Sequence, residues 1–154
     1  MASIKSSAEI EAPAQKVWDL VCDLGRIPEW VGNTLEMLSV SEGPTGSGTT
    51  YRERSRIAGP WKAPTEWRIT TFEAPRRQVH EGSLPMGGSA TLDISLEPVG
   101  EGSRIMIAMD VGYAPLMRPV GALLDALFMR RSLQSDFDGN VQRLKALVEQ
   151  EPAT

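Results

Sequence analysis

The sequence predicts an α+β fold: a curved antiparallel sheet of about seven strands wrapped around a long C-terminal helix, with two short helices after the first strand. Three observations predict it. One strand-like segment opens the chain and is followed at once by two short helical stretches. Six more strand-like segments then follow with short links, the pattern of an antiparallel meander. The chain closes on about thirty residues of helical periodicity.

Ser3 to Glu11 alternates loosely and reads as the first strand. Pro13 suits the first turn of a helix, where its missing N–H costs nothing. Val17, Trp18, Leu20 and Val21 give that helix an apolar side, and Gly25 is expected to stop it. Ile27 to Val31 reads as a second short helix with Pro28 near its start. Leu35 to Val40 is the next strand, followed by a turn over Glu42 to Gly48 that is rich in Gly, Pro and Ser. Strands are expected over Thr49 to Ala58, Thr65 to Phe72 and Arg77 to Leu84, punctuated by Gly59-Pro60, Ala74-Pro75 and Pro85 with Gly87-Gly88. Ala90 to Leu96 puts Leu92, Ile94 and Leu96 on one face, and Thr91, Asp93 and Ser95 on the other. After a turn at Gly100 to Gly102, Arg104 to Tyr113 turns Ile105, Ile107, Met109 and Val111 inward.

Pro115 ends the sheet, and Leu116 to Glu149 reads as one helix. At a rise of about 1.5 Å per residue it would reach on the order of 45 Å, enough to cross the sheet. Its apolar face is Leu116, Val120, Leu123, Leu124, Leu127, Phe137, Val141, Leu144 and Val148. That face drifts where Arg130 and Arg131 interrupt it, so the two halves are expected to meet different surroundings. Residues 1–150 are read as one domain and residues 151–154 as a frayed tail.

Composition narrows the function. The chain has 154 residues, 41% of them hydrophobic and 23% charged, which is ordinary for a globular fold. Its net charge of −4 argues against nucleic acid or an anionic membrane as the main partner. One cysteine, Cys22, excludes an intrachain disulfide and the usual thiolate zinc sites. One histidine, His80, excludes any site needing two imidazoles. Met1 to Glu11 lacks a long apolar stretch, so no signal peptide is expected. The apolar run from Val120 to Met129 is interrupted by Asp125 and too short to span a bilayer. A reduced cytoplasmic protein, monomer or homodimer, without metal or other cofactor, is expected.

Several stretches carry a resemblance. The opening Ile10-Glu11-Ala12-Pro13-Ala14-Gln15-Lys16-Val17-Trp18-Asp19-Leu20-Val21, then Asp23 and Pro28-Glu29-Trp30, resembles the start of the polyketide cyclase/dehydrase family. Gly46-Ser47-Gly48, Trp67-Arg68-Ile69, Phe72-Glu73-Ala74-Pro75-Arg76-Arg77, Gly102-Ser103-Arg104-Ile105 and Arg143-Leu144-Lys145 continue it over nearly the whole chain. That family belongs to the START-like, helix-grip superfamily. The resemblance implies a helix-grip fold, a curved sheet gripping the terminal helix, with a cavity wherever facing side chains do not meet. It implies no fixed catalytic set, because the family mixes aromatase/cyclases, ligand carriers and coenzyme Q-binding proteins.

Two polar residues depart from the greasy lining this implies. If the strand from Tyr51 alternates, Tyr51, Glu53, Ser55 and Ile57 share the inner face, and Arg52, Arg54 and Arg56 the outer one. Glu53 and His80 are the catalytic candidates. Strand pairing would place both near Ile69, roughly 10 Å apart across two strand spacings. A desolvated Glu would have a raised pKa and could act as acid or base. The plainer alternative is a Glu53 in water at a cavity mouth or paired with an arginine, and a His80 that caps a strand or hydrogen-bonds a neighbour.

The remaining ligand-binding candidates are Tyr51, Ser55, Trp67, Ile69, Gln78, Leu92, Ile94, Met109, Tyr113, Leu116, Val120, Leu124 and Phe128. Gln78 and Tyr113 would join Glu53 and His80 in orienting a polar end. Met86 and Met117 could add adaptable sulfur to an aromatic wall, although plain core packing explains any single one. Trp18 and Trp30 are assigned to structural packing beneath the first helix. Pro60-Trp61, Pro85 to Gly88 and Ala114 to Val120 are candidate gates, or ordinary turns.

Three lookalikes carry nothing. Gly43 to Thr50 has phosphate-loop spacing but Thr49 where the lysine belongs. Asp136, Asp138 and Gly139 lack the remaining ligands of a calcium loop and lie mid-helix. No Gly-x-Ser-x-Gly elbow presents a nucleophile.

The expected function is enclosure of a small, largely apolar molecule (polyketide-, lipid- or aromatic-like), with cyclisation or dehydration by acid/base chemistry if a reaction follows. The alternatives are a non-catalytic lipid or quinone carrier or sensor, and a protein-interaction module acting through the gates and the Arg130-Arg131 region.

Overall fold

The structure is a computed structural model that describes residues 2–58, 60–112, 119–120, 123 and 130–151. Seven strands form one antiparallel sheet: β1 (Ala2–Ile10), β2 (Thr34–Val40), β3 (Thr50–Ala58), β4 (Trp61–Glu73), β5 (Arg77–Ser83), β6 (Ser89–Val99) and β7 (Gly102–Gly112). Their spatial order is β1-β7-β6-β5-β4-β3-β2. The first two strands therefore sit at opposite edges, with the meander running back from β2 to close beside β1. Six strand spacings separate those edges, a distance of roughly 29 Å along the sheet. The two short helices, α1 (Ala14–Cys22) and α2 (Ile27–Trp30), with a 3₁₀ turn over Leu24–Arg26 between them, carry the chain across that distance.

The terminal helix α3 (Arg130–Gln150) has 21 residues. At the usual rise it spans about 31 Å. It docks along β1. Gln134 Nε2 donates to the Lys5 carbonyl at 2.7 Å and Lys145 Nζ to the Glu9 carbonyl at 2.8 Å. Ser6 Oγ donates to Asp138 Oδ1 at 2.6 Å. The helix thus satisfies backbone acceptors of an edge strand that would otherwise invite pairing with another chain. Pro119, Val120 and Leu123 are also helical. The rest of the expected N-terminal part of the helix, including Leu116, Leu124 and Leu127, lies outside the described residues.

Phe137, Val141, Leu144 and Val148 recur at helical spacing and are buried. They meet Val17, Trp18, Leu20 and Val21 of α1 and the inner faces of β6 and β7. Trp18 and Phe72 pack with ring centroids 5.1 Å apart. One end of the sheet's inner face is thereby filled. The outer face is polar and stitched by cross-strand pairs. Among them are Arg77–Asp93 at 2.8 Å, and Arg104 with Glu9 and Glu97 at 2.7 and 2.6 Å. Among the described residues no helix is long and apolar enough to cross a membrane.

Three expectations need correction. The first helix ends at Cys22, before Gly25, because the chain tightens into the 3₁₀ turn from Leu24. β4 begins at Trp61, not Thr65: Pro64 is tolerated within it, and the pairing continues to Ala58↔Trp61. Leu123 and Val120 do not belong to the buried helical face, being 59% and 47% exposed.

Candidate functional site

The other end of the inner face is hollow. A cavity of about 320 Å³ lies between the sheet, α2 and the start of α3. Leu92, Ile94, Ile107 and Met109 form its floor on β6 and β7, and Leu133 and Phe137 its roof on α3. Trp61, Val120 and Arg56 both line it and are exposed, so they form its rim.

β3 alternates as expected, with Tyr51, Glu53 and Ser55 buried and Arg52, Arg54 and Arg56 exposed. Glu53 is 7% exposed and makes no ion pair among the described residues. Its partners form a directed chain. Trp67 Nε1–H, a donor only, donates to Thr65 Oγ1 at 3.2 Å. Ser55 Oγ donates to Glu53 Oε1 at 3.1 Å, which spends its single proton. The 3.0 Å contact between Thr65 and Ser55 must then have Thr65 donating. Every proton in the chain points toward Glu53 Oε1, and such chains strengthen cooperatively. Burial raises the Glu53 pKa, opposed in part by the hydroxyls of Ser55, Thr34 and Thr65 and the Trp67 indole.

A second chain runs through His80. Gln78 Nε2 donates to Cys22 Sγ at 3.2 Å, so its Oε1 accepts from His80 Nε2–H at 2.9 Å. Nδ1 therefore carries the lone pair. It accepts the Tyr51 O–H at 2.7 Å. Desolvation lowers the His80 pKa to about 4. The imidazole is neutral and both nitrogens are occupied, so it holds the Tyr51 hydroxyl in place and is poorly built to take a proton from a ligand. Tyr51 keeps its proton: burial, with Glu53 nearby, raises its pKa well above 10. Burial also lifts the Cys22 thiol to about 11.

Trp67 shapes this end of the cavity. Its ring lies near-parallel to Tyr51, with centroids 6.4 Å apart and planes 10° apart. It also covers β5 at Gly82, where a side-chain carbon would lie 2.6 Å from Trp67 Cε3. Only glycine leaves room for the indole. At the helix side, Asn140 Oδ1 accepts the Gly32 N–H at 2.9 Å and also bonds Arg143, whose Nε donates to the Trp30 carbonyl at 3.1 Å. These bonds tie α3 to the link between α2 and β2 and hold Trp30 at the cavity. Trp30 Nε1–H is buried without a hydrogen-bond partner among the described residues. Such an arrangement costs about 1–3 kcal/mol when nothing satisfies it.

Of the residues selected from the sequence, Tyr51, Glu53, Ser55, Trp67, His80, Leu92, Ile94, Met109 and Val120 line the cavity. Ile69 and Gln78 do not. Both are fully buried, and Gln78 backs His80 against Cys22. Tyr113, Leu116, Leu124 and Phe128 lie outside the described residues. Ile69 is also not the meeting point of Glu53 and His80. It pairs with His80, but Glu53 pairs with Thr65, four residues away along β4. Trp30 lines the cavity as well as packing against α1. Thr65, Thr34 and Asn140 were missed. Thr65 shares the inward parity of Trp67 and Ile69, so the alternation pointed to it.

The curved antiparallel sheet, the helix docked across its edge and the hollow between them define a helix-grip protein. The chain belongs to the family described as polyketide cyclase / dehydrase and lipid transport, whose profile it matches over residues 1–149. An uncharacterized protein of Mycobacterium tuberculosis, Rv1546, is 26% identical over 122 residues, covering 79% of this chain and 85% of that protein. The fold resembles TTHA0849 from Thermus thermophilus, with a TM-score of 0.73, 20% identity and coverage of 95% and 96% of the two chains. It also resembles the di-domain ARO/CYC StfQ from the steffimycin biosynthetic pathway, with a TM-score of 0.76 and 14% identity. That match covers 97% of this chain and 51% of that one.

Proposed function

We propose that this protein encloses a compact, largely apolar ligand in the cavity between the sheet and α3, with its polar end directed at Glu53 and the Tyr51 hydroxyl. The observation that carries the reading is the coexistence of an apolar hollow with a buried carboxyl that no cation among the described residues neutralises. A volume of about 320 Å³ falls at the low end of small-molecule sites, which run roughly 300–1,000 Å³. It suits a ring system better than a long acyl chain. Apolar burial would drive binding at about 25 cal/mol per Å², less ordering costs. Trp30 Nε1–H offers a donor to any ligand oxygen that reaches it.

A catalytic reading is favoured by one observation, the raised Glu53 pKa. A carboxyl whose burial favours the protonated form can protonate a carbonyl or a leaving hydroxyl, the step that cyclisation or dehydration needs. Such a role falls to Glu53 with Tyr51 as a hydrogen-bonding partner, not to Glu53 with His80. A carrier that binds without turnover uses the same cavity.

The test titrates 2-naphthalenemethanol by calorimetry into the wild type and Leu92→Trp. Leu92 is a half-buried floor residue with free space on its cavity side. The wild type should bind with a negative heat-capacity change, and the variant should lose about tenfold or more in affinity while melting cooperatively. Met109→Phe repeats the test if Leu92→Trp does not fold. No binding by the wild type, or equal binding after the cavity is filled, would overturn the reading.

A further inference from the structure

Glu53 and the aromatic wall around it narrow the ligand further. The cavity is lined by aromatic side chains from four elements: Trp30 of α2, Tyr51 of β3, Trp61 and Trp67 of β4, and Phe137 of α3. Three of the four tryptophans in the chain are therefore gathered on one hollow. Among the described residues, its interior holds a single acidic side chain, Glu53, and no cation reaches that carboxyl within ion-pair distance. The hydroxyl chain from Trp67 through Thr65 and Ser55 ends on Oε1, which leaves Oε2 outside that chain. A buried carboxylate is stable only when paired, and leaving it alone is costly. Aromatic rings attract ammonium groups, most strongly where water is excluded.

We infer that the cavity selects ligands carrying a basic amine on an apolar ring system, with the ammonium seated against Glu53 Oε2 and the surrounding aromatic side chains. The same arrangement disfavours ligands that carry a carboxylate, because two buried anions would face each other. This inference rests on the cavity reading above and deepens it. An ammonium beside the carboxyl favours its ionised form, so amine binding and loss of the Glu53 proton are linked.

Among the described residues, the other titratable groups on the cavity are few. His80 is neutral and engaged on both nitrogens; Tyr51 keeps its proton; Arg56 sits at the exposed rim. Thr34 of β2, Thr65 and Trp67 of β4, and Asn140 and Phe137 of α3 face the carboxyl's surroundings without charge. Among the described residues, Glu53 is therefore the group through which pH acts on amine binding.

The experiment compares three probes on one ring: 2-naphthylmethylamine, 2-naphthalenemethanol and 2-naphthoate, titrated at pH 7.5 into the wild type and Glu53→Gln. The amine should bind the wild type about tenfold or more tighter than the alcohol, as a charge-assisted hydrogen bond implies. The carboxylate should bind weakest. In Glu53→Gln the amine should fall to the level of the alcohol or below it. A variant-free measurement accompanies this. Between pH 5 and pH 7.5 the wild-type affinity for the amine should rise with pH, while that for the alcohol should stay level. The inference is overturned if the alcohol matches the amine, if the preference survives Glu53→Gln, or if amine affinity ignores pH. Those outcomes leave the cavity reading standing. Failure of all three probes to bind would remove both.

Discussion

The gap in stability between the wild type and His80→Gln should change by about 3 kcal/mol between pH 6.5 and pH 4, with the wild type losing ground as the solution is acidified. The cause is the burial of a neutral imidazole. His80 is 2% exposed and its folded pKa is about 4, against an ordinary value of 6.5. Protonating it would put a hydrogen on Nδ1, the acceptor to which the Tyr51 hydroxyl donates at 2.7 Å. As pH falls, the unfolded chain takes up the proton first. The contribution is thus fully present above pH 6.5 and is lost as pH falls toward and through 4. Glu53 has the opposite sign. Its folded pKa is raised, so its contribution is fully present below the ordinary value of 4.5 and is lost as pH rises. The two oppose each other across the mildly acidic range, so Glu53→Gln should show a steeper acid loss than the wild type. Urea denaturation at pH 7, 5.5 and 4 on all three proteins separates them. If His80→Gln fell as steeply as the wild type, the neutral, enclosed imidazole would be wrong.

These two residues also mark how far the sequence could be read. Period-two alternation placed Tyr51, Glu53 and Ser55 on one face of β3, and burial agrees, because flipping any of the intervening arginines inward would bury an unpaired charge. The same alternation set Ile105, Ile107, Met109 and Val111 inward on β7. Pairing register was not legible to that degree. Glu53 lies opposite Thr65 rather than beside Ile69. Four residues at about 3.3 Å each make that a displacement of about 13 Å along the strand. A register shift between Ile69 and Thr71 alters the pairing of β4 with β5, and nothing local in the sequence announces it. Trp30 was legible as an apolar residue of a short helix, but its place on the cavity depends on Asn140 and Arg143, more than a hundred residues later. Periodicity has no term for such a distance. The hollow itself was least legible of all: Leu92 and Leu144 look alike in sequence, and only their neighbours distinguish them.

That difference has a measurable consequence. Leu144→Ala should cost about 4 kcal/mol of stability, within the roughly 2–5 kcal/mol spanned by buried leucine truncations, whereas Leu92→Ala should cost roughly 1–2 kcal/mol. Leu144 is 0% exposed and packs in the cluster that joins α3 to α1 and the sheet. Removing its side chain loses both its transfer free energy and its contacts. It also leaves a void that a helix anchored along β1 by Ser6, Lys5 and Glu9 cannot close. Leu92 stands only four residues before Leu96 on the same face of β6, yet it borders the cavity and is half-buried. Part of its surface already lacks neighbours, so truncation forfeits fewer contacts and only enlarges an existing space. For a domain whose total stability is about 5–15 kcal/mol, the first change would remove about a quarter of it or more, and the second at most about half as much as the first. Urea denaturation at pH 7 on both variants gives the comparison directly. Equal costs at the two positions would mean that the sheet and α3 are packed alike at both ends, and no enclosed space would remain to hold a ligand.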